Sequence, residues 1–158
     1  MVEQLPASGG SMIRTTGWSC VVFLVLVLSA CWLTRPLALG MWESVHDFQD
    51  ALYTVWALDH NYQVIRSGQW SSYWAAPMLV PFKYSLVLAD PHLGTAIWTF
   101  PAFLLTGSAV FCQNIAILGS YVLTGVGCYL LASTITKRRW LSLVVGLAGM
   151  AVPFRQAQ

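Results

Sequence analysis

Charge is what this 158-residue sequence has least of: Asp, Glu, Lys and Arg together make up 9% of it, while 57% is hydrophobic and the mean hydropathy is +0.64. An ordinary soluble domain carries roughly 25% charged residues. So few charges leave too little polar surface to coat a water-facing globule, which is the deviation expected when much of the surface faces lipid. The net charge is only +2 and no nucleic-acid-binding motif occurs, so no basic field is available for DNA or RNA. Also missing are a Gly-rich phosphate loop, a nucleophile elbow for a Ser/His/Asp hydrolase and any histidine pair at the compact spacing of a zinc helix. Cysteine is sparse. Cys20, Cys31, Cys112 and Cys128 each fall inside an apolar run, and no two have metal-type spacing. A disulfide framework would put them in the loops of a compact secreted chain. They read instead as small packing residues in helices.

Residues 1–17 are polar, with Gly9, Gly10 and Ser11 suggesting a mobile cytoplasmic tail. Arg14 then precedes an apolar run from Trp18 to Leu33 that continues past Arg35 to about Leu39. A spanning helix needs about 20 residues. Residues 18–39 supply that length if Arg35 snorkels to the interface. A cleavable signal peptide competes for this segment. So does a lipid-attachment site, because Leu28-Ser29-Ala30-Cys31 has the Leu-small-small-Cys form. The apolar run does not stop at Cys31, however; Trp32 and Leu33 carry it on, and the expectation is an uncleaved first transmembrane helix over 18–39.

From Gly40 to His92 the composition changes abruptly. This window holds Glu43, Asp47, Asp50, Asp59 and Asp90, five of the six acids, together with His46, His60 and His92, all of the histidines. Trp42, Trp56, Trp70 and Trp74 join them. Trp and Tyr favour the membrane–water interface, where an apolar ring and a polar edge are both satisfied. Residues 40–92 therefore read as an extracytoplasmic loop lying on the membrane. Ser44-Val45-His46-Asp47 is a capping-box variant, and a helix from about Val45 to Ile65 follows. On a helical period Phe48, Leu52, Val55, Trp56 and Tyr62 fall on one side, and Asp47, Asp50, Thr54 and Asn61 on the other. Such an amphipathic helix suits the interface. Gly68 and Ser71-Ser72 break the pattern, and Pro77 and Pro81 enforce an extended loop.

Residues 93–158 supply two to three further membrane helices, giving an all-α, multi-pass chain. His92 to Leu105 is apolar but interrupted by Pro101, and Gly107-Ser108 is a turn. A run from about Phe111 to Ser133 contains Gly119, Gly125 and Gly127, small residues that allow close helix contacts. Lys137-Arg138-Arg139 ends it, and Trp140 to Val152 forms the last run. Arg14 puts the amino terminus inside and the 40–92 window outside. If both following runs cross fully, Lys137-Arg138-Arg139 lands outside, against the positive-inside tendency. The alternative is that His92 to Leu105 is re-entrant or packed at the surface. Full crossings are the expectation.

Three positions apart, Asp47 and Asp50 share a helix face. Carboxylates that close can form an acid/base pair, bind a divalent cation or receive a basic substrate group. The plainer reading is that they complement the helix dipole, which accounts for Asp47 better than for Asp50, one turn further in. His46 and Asp50 are spaced by four, and Asp90-Pro91-His92 could add ligands from a distance, but the pattern assigns no metal. His60 beside Asp59 reads as an ordinary interfacial pair.

The order of these segments, HDFQDALYTVWALDH, then VPFKYSLVLADPHLG, then LLASTITKRRW, then GLAGMAVPFR, resembles the amino-terminal part of bacterial multi-pass glycosyltransferases of the GT-C type. Those enzymes take sugars from polyprenyl-phosphate donors and work in the cytoplasmic (inner) membrane of the cell envelope. The resemblance covers roughly two-thirds of the chain, from Asp47 to Arg155. It implies Asp50 as catalytic base, with Asp47 as runner-up, and Asp90 as a second acid that assists acceptor or metal placement. Arg66 and Lys83 would face the donor phosphate. The implied partners are the bilayer and a polyprenyl-phosphate-linked sugar. Family members are several times longer, so the chain is expected to be an amino-terminal fragment. The alternative is a non-catalytic membrane subunit or transporter fragment whose loop binds a partner.

Overall fold

The computed structural model describes residues 9–45, 48–76 and 84–152, without the side chains of 9–16, 48, 49, 72 and 85. Among the described residues the chain is all-helical, with no strand. The order is α1 (Gly9–Leu33), α2 (Arg35–Leu39), α3 (Phe48–Ser67), a 3-10 turn at Trp70–Ser72, another at Ser85–Leu88, α4 (Leu93–Thr106), α5 (Ala109–Thr136) and α6 (Arg139–Met150).

Residue chemistry explains most of the boundaries. The segment expected to run unbroken to Leu39 stops at Leu33 instead. Pro36 has no N–H to give and its ring clashes with the carbonyl four residues back, so Thr34 turns and a short second helix restarts at Arg35. At the other end α1 begins at Gly9, inside the stretch expected to be a tail. Gly68, in the left-handed region (φ +71), ends α3 and donates its N–H to Val64 O at 2.8 Å. Gly107 (φ +67) ends α4 in the same way, and Ser108 Oγ then caps α5 by accepting from Phe111 N–H at 3.2 Å. The Gly107-Ser108 turn is where the sequence puts it.

Length separates the helices. Among the described residues α5 alone is long and apolar enough to cross a membrane. Its 28 residues reach about 42 Å at 1.5 Å per residue, against about 30 Å of hydrocarbon. The apolar part of α1, Gly17–Leu33, spans about 26 Å. At 14 and 12 residues, α4 and α6 reach about 21 and 18 Å.

The chain divides into two compact units, one formed by 1–33 with 121–157 and the other by 34–120. In the first, α1, the second half of α5 and α6 bury Leu26, Ala30 and Met150. Small residues set how close these helices come. A Cβ on Gly125 would sit 2.5 Å from Met150 Sδ, and one on Gly146 would sit 2.9 Å from Gly125 O. Gly149 is equally tight, against Cys128 Sγ at 2.5 Å. Gly127, by contrast, faces open space.

In the second unit α3 packs on α4 around Leu58, Tyr62, Ala96 and Cys112. The Tyr62 ring lies on Phe103 with centroids 4.1 Å apart. Thr99 Oγ1 donates to Thr95 O (2.6 Å), so the Tyr62 hydroxyl donates to Thr99 Oγ1 at 2.7 Å. Burial pushes the Tyr62 hydroxyl well above the ordinary tyrosine pKa. A neighbouring cluster of Val64, Tyr73, Ala76 and Leu86 seats both 3-10 turns beside Trp56 and Leu93. Asn114, fully buried on α5, donates to both Met41 O and Ser44 O at 2.9 Å and so fixes the turn that leads toward α3. Trp42 from that turn stacks on Phe111, centroids 4.5 Å apart.

Candidate functional site

The acids of interest meet α3 at its amino-terminal end. Helix α3 begins at Phe48, later than expected, so Asp50 lies in its first turn. The dipole argument that was weak for Asp50 from sequence therefore applies to it directly. Its side chain is exposed. One turn on, the Tyr53 hydroxyl donates to Asp90 O at 2.6 Å, joining two segments 37 positions apart. Asn61 Nδ2, two further turns along, donates to Pro91 O at 2.6 Å. Two side chains of α3 thus hold the Asp90-Pro91-His92 segment along its flank.

That segment is shaped locally as well. Asp90 Oδ1 accepts the His92 N–H at 3.2 Å, closing an Asx-type turn. His92 sits in the left-handed region (φ 48, ψ 22) and forms the N-cap of α4 without a side-chain cap bond. A residue with a Cβ is uncommon there, although His, Asn and Asp tolerate it best. The His92 ring comes to 5.9 Å from that of Tyr53. Burial, then the charge of Asp90, raises the Tyr53 pKa above its ordinary value, so this phenol stays a proton donor across the physiological range.

An aromatic row continues from this point. Tyr53 stacks on Trp56 (centroids 6.4 Å), Trp56 on His60 (5.6 Å, planes 7° apart) and His60 on Tyr73 (5.9 Å). His60 Nε2 donates to Tyr73 O at 3.2 Å, which ties the first 3-10 turn to α3. His60 is thereby engaged away from Asp59, whose Oδ2 accepts from Gln63 Nε2 at 3.4 Å. Burial, and secondarily Tyr53, pushes the Tyr73 pKa up. Its buried hydroxyl has no hydrogen-bond partner among the described residues, and neither does Asn61 Oδ1.

The structure brings Asp50 and Asp90 to one end of α3 and keeps Arg66 from them. Arg66 is exposed in the last turn, sixteen residues beyond Asp50, or about 24 Å along the helix axis. A base and a leaving phosphate must flank one carbon, so Arg66 does not complete a centre built on Asp50. Its position complements the α3 dipole instead. Asp47, Lys83 and His46 lie outside the described residues. Among the described residues no three His, Cys, Asp or Glu side chains are grouped to hold a metal.

Asp50, Thr54 and Asn61 share one side of α3 as the sequence suggests, but that side is open only at Asp50 and is covered at Asn61. Asn61 is 1% exposed, while Leu52 from the apolar side is 47% exposed. Tyr53 is the site residue that the sequence does not single out, while Asn61 enters it only as a polar-side residue and His92 only as a distant metal-ligand candidate. The available signal was Tyr53, placed one turn after Asp50. No family model, curated protein or solved structure matches this chain.

Proposed function

We propose that this chain is an inner-membrane protein corresponding to the acid-bearing amino-terminal part of a GT-C-like glycosyltransferase, which moves a sugar from a polyprenyl-phosphate donor to an extracytoplasmic acceptor. The observation that carries this reading is the Tyr53–Asp90 hydrogen bond, which gathers exposed Asp50 and Asp90 at one end of α3. A carboxylate there can take the proton of an acceptor hydroxyl as it attacks the anomeric carbon and the lipid phosphate departs.

The multi-pass reading draws support from the first unit. Trp18, near the start of α1, packs edge-on against Trp140, at the start of α6, with centroids 4.6 Å apart, and donates its Nε1–H to Tyr129 at 3.2 Å. Arg14 and Lys137-Arg138-Arg139 then share one side of a bilayer, as the positive-inside tendency favours. Two crossings, by α1 and α5, satisfy this. Helix α4, short and interrupted by Pro101, is then the surface or re-entrant element and not a crossing. The conflict that full crossings create in the sequence disappears.

Asp50→Asn should lower sugar transfer at least about 100-fold, the low end of what general-base catalysis contributes. The measurement is transfer from a labelled polyprenyl-phosphate sugar in membranes carrying the protein, and unchanged transfer would sink the catalytic assignment. A non-catalytic membrane subunit is the second reading. It is favoured by the structural duties already given to Asp50 in the first turn of α3 and to Asp90 in the Asx turn.

A further inference from the structure

Lys137, Arg138 and Arg139 take no part in the chemistry proposed above, yet they carry three of the eight cationic side chains of the sequence. All three are exposed, and 91–152 contains no Asp or Glu. Lys137 adopts a left-handed backbone (φ 52), which makes the tight turn between α5 and α6. An open groove of about 560 Å³ starts at this turn, lined by Arg138, Arg139, Trp140, Leu141 and Val144. Its walls combine two arginines at the start of α6 with three apolar residues that follow them in the helix.

The apolar side chains are bare. Trp140 is 70% exposed and Val144 59%. They lie on the side of α6 opposite Ser142, Leu143, Gly146 and Met150, which are buried. No side chain caps the start of α6, so its first N–H groups add positive potential beside the two arginines.

We propose that this groove is a binding site for an anionic phospholipid. Its phosphate sits between Arg138, Arg139 and the start of α6, with Lys137 adding charge, and its acyl chain lies along Trp140, Leu141 and Val144. Charge complementarity selects the headgroup, because a cluster of three exposed cations attracts a net negative headgroup more than a zwitterionic one. Trp140 stands at the level where an amphipathic ring is most stable, between headgroup and acyl chain. The proposal rests on the membrane reading above, and also on the shared side that the Trp18–Trp140 contact gives to both basic segments.

The test uses the full chain reconstituted in phosphatidylcholine bilayers and titrated with phosphatidylglycerol bearing brominated acyl chains, which quench tryptophan on contact. Phosphatidylglycerol should bind preferentially over phosphatidylcholine, and Trp140→Phe should remove the preferential part of the quenching. Neutralising all three cations (K137Q/R138Q/R139Q) should weaken the preference by roughly fivefold per cation, on the order of a hundredfold in all. The charge-conserving R138K/R139K variant should keep it. Equal loss in both variants, or equal quenching by the two lipids in the native chain, overturns the proposal. So does abolition of the preference by soluble inorganic phosphate at matching concentration, which would make the ligand a free anion. Flotation of the chain with phosphatidylcholine vesicles separates the two levels of the argument. A chain that floats but shows no lipid preference loses only this site, whereas one that does not float loses the membrane reading too.

Discussion

The two units of this chain are held together by different means. In 34–120 the segments are fastened by directional hydrogen bonds from buried or half-buried side chains: Tyr53 to Asp90, Asn61 to Pro91, Tyr62 to Thr99, and Asn114 to Met41 and Ser44. In 1–33 with 121–157 the helices meet closely at glycines, alongside side-chain bonds such as Trp18 to Tyr129 and Thr136 to Ser142. Under the membrane reading proposed above, the contrast follows from solvent. Between helices in lipid there is no hydrophobic force to gain, so close approach of small residues supplies the attraction. An interfacial segment has water on one side and must satisfy backbone groups that no regular helix covers, so side chains are recruited to carbonyls such as Asp90 O and Pro91 O.

The largest test of this contrast falls on Tyr62. Tyr62→Ala should destabilise the 34–120 unit by about 3–5 kcal/mol, the cost of emptying a fully buried aromatic site. Tyr62→Phe, which loses only the bond to Thr99, should cost about 1 kcal/mol. pH gives a second handle. The folded pKa of Tyr62 is raised by burial, so its contribution is fully present below the ordinary tyrosine value of about 10 and is lost as pH rises beyond it, when the unfolded chain ionises first. Tyr53 and Tyr73 are shifted in the same direction and act alike. Resistance to denaturation in detergent should therefore fall above about pH 10, and Tyr62→Phe should flatten that fall. Equal alkaline sensitivity in the variant would show that Tyr62 is not the group responsible.

Gly146→Val sharpens the other half. A Cβ there meets the backbone oxygen of Gly125 at 2.9 Å, an atom that cannot swing aside as the end of a side chain can. Overpacking of this kind costs about 1–3 kcal/mol. Gly127→Val, whose Cβ meets nothing, should be close to silent and serves as the matched control. Hydrogen–deuterium exchange resolved along the chain would locate the loss. Loosening confined to α1 and 121–150 fits two separately stabilised units. Equal loosening in α3 would mean that the contrast between them is not energetic.

What the sequence reveals follows the same division. Glycine breakers marked the ends of α3 and α4, because Gly68 and Gly107 act through their own backbone, and the basic run Lys137-Arg138-Arg139 marked the end of α5 by its charge. The kink at Thr34 was legible in Pro36 and was passed over, because the hydropathy of the run stays high through it. The covered side of α3 was not legible. Asn61 and Leu52 exchange the exposures that their polarity suggests, because a segment some 30 positions away supplies the carbonyl that Asn61 needs. The placement of Asp90 beside the first turns of α3 depends on the Tyr53 hydrogen bond, and no local pattern encodes it. Positions such as Asp47 and Lys83, beyond the described residues, remain expectations from sequence alone.

The smallest expected effect bears most directly on what the 34–120 unit is for. His92 holds a left-handed backbone in which its Cβ is unfavourable, and glycine adopts that conformation freely. His92→Gly relieves that strain, and the gain is partly offset by the greater freedom of glycine in the unfolded chain. The net result should be a stabilisation of a few tenths to about 1 kcal/mol, read from thermal unfolding. His92→Ala, which keeps the Cβ and removes the ring, should be neutral or slightly destabilising. The two variants share the loss of an imidazole 5.9 Å from the Tyr53 ring and differ in backbone strain. If sugar transfer falls equally in both while stability moves in opposite directions, the ring is what keeps histidine in a strained position beside Asp90, and the strain belongs to the site. If transfer is untouched in His92→Gly, His92 is only a turn residue. The Asp90-Pro91-His92 segment would then be explained by the Tyr53 and Asn61 hydrogen bonds alone, as scaffolding held to α3.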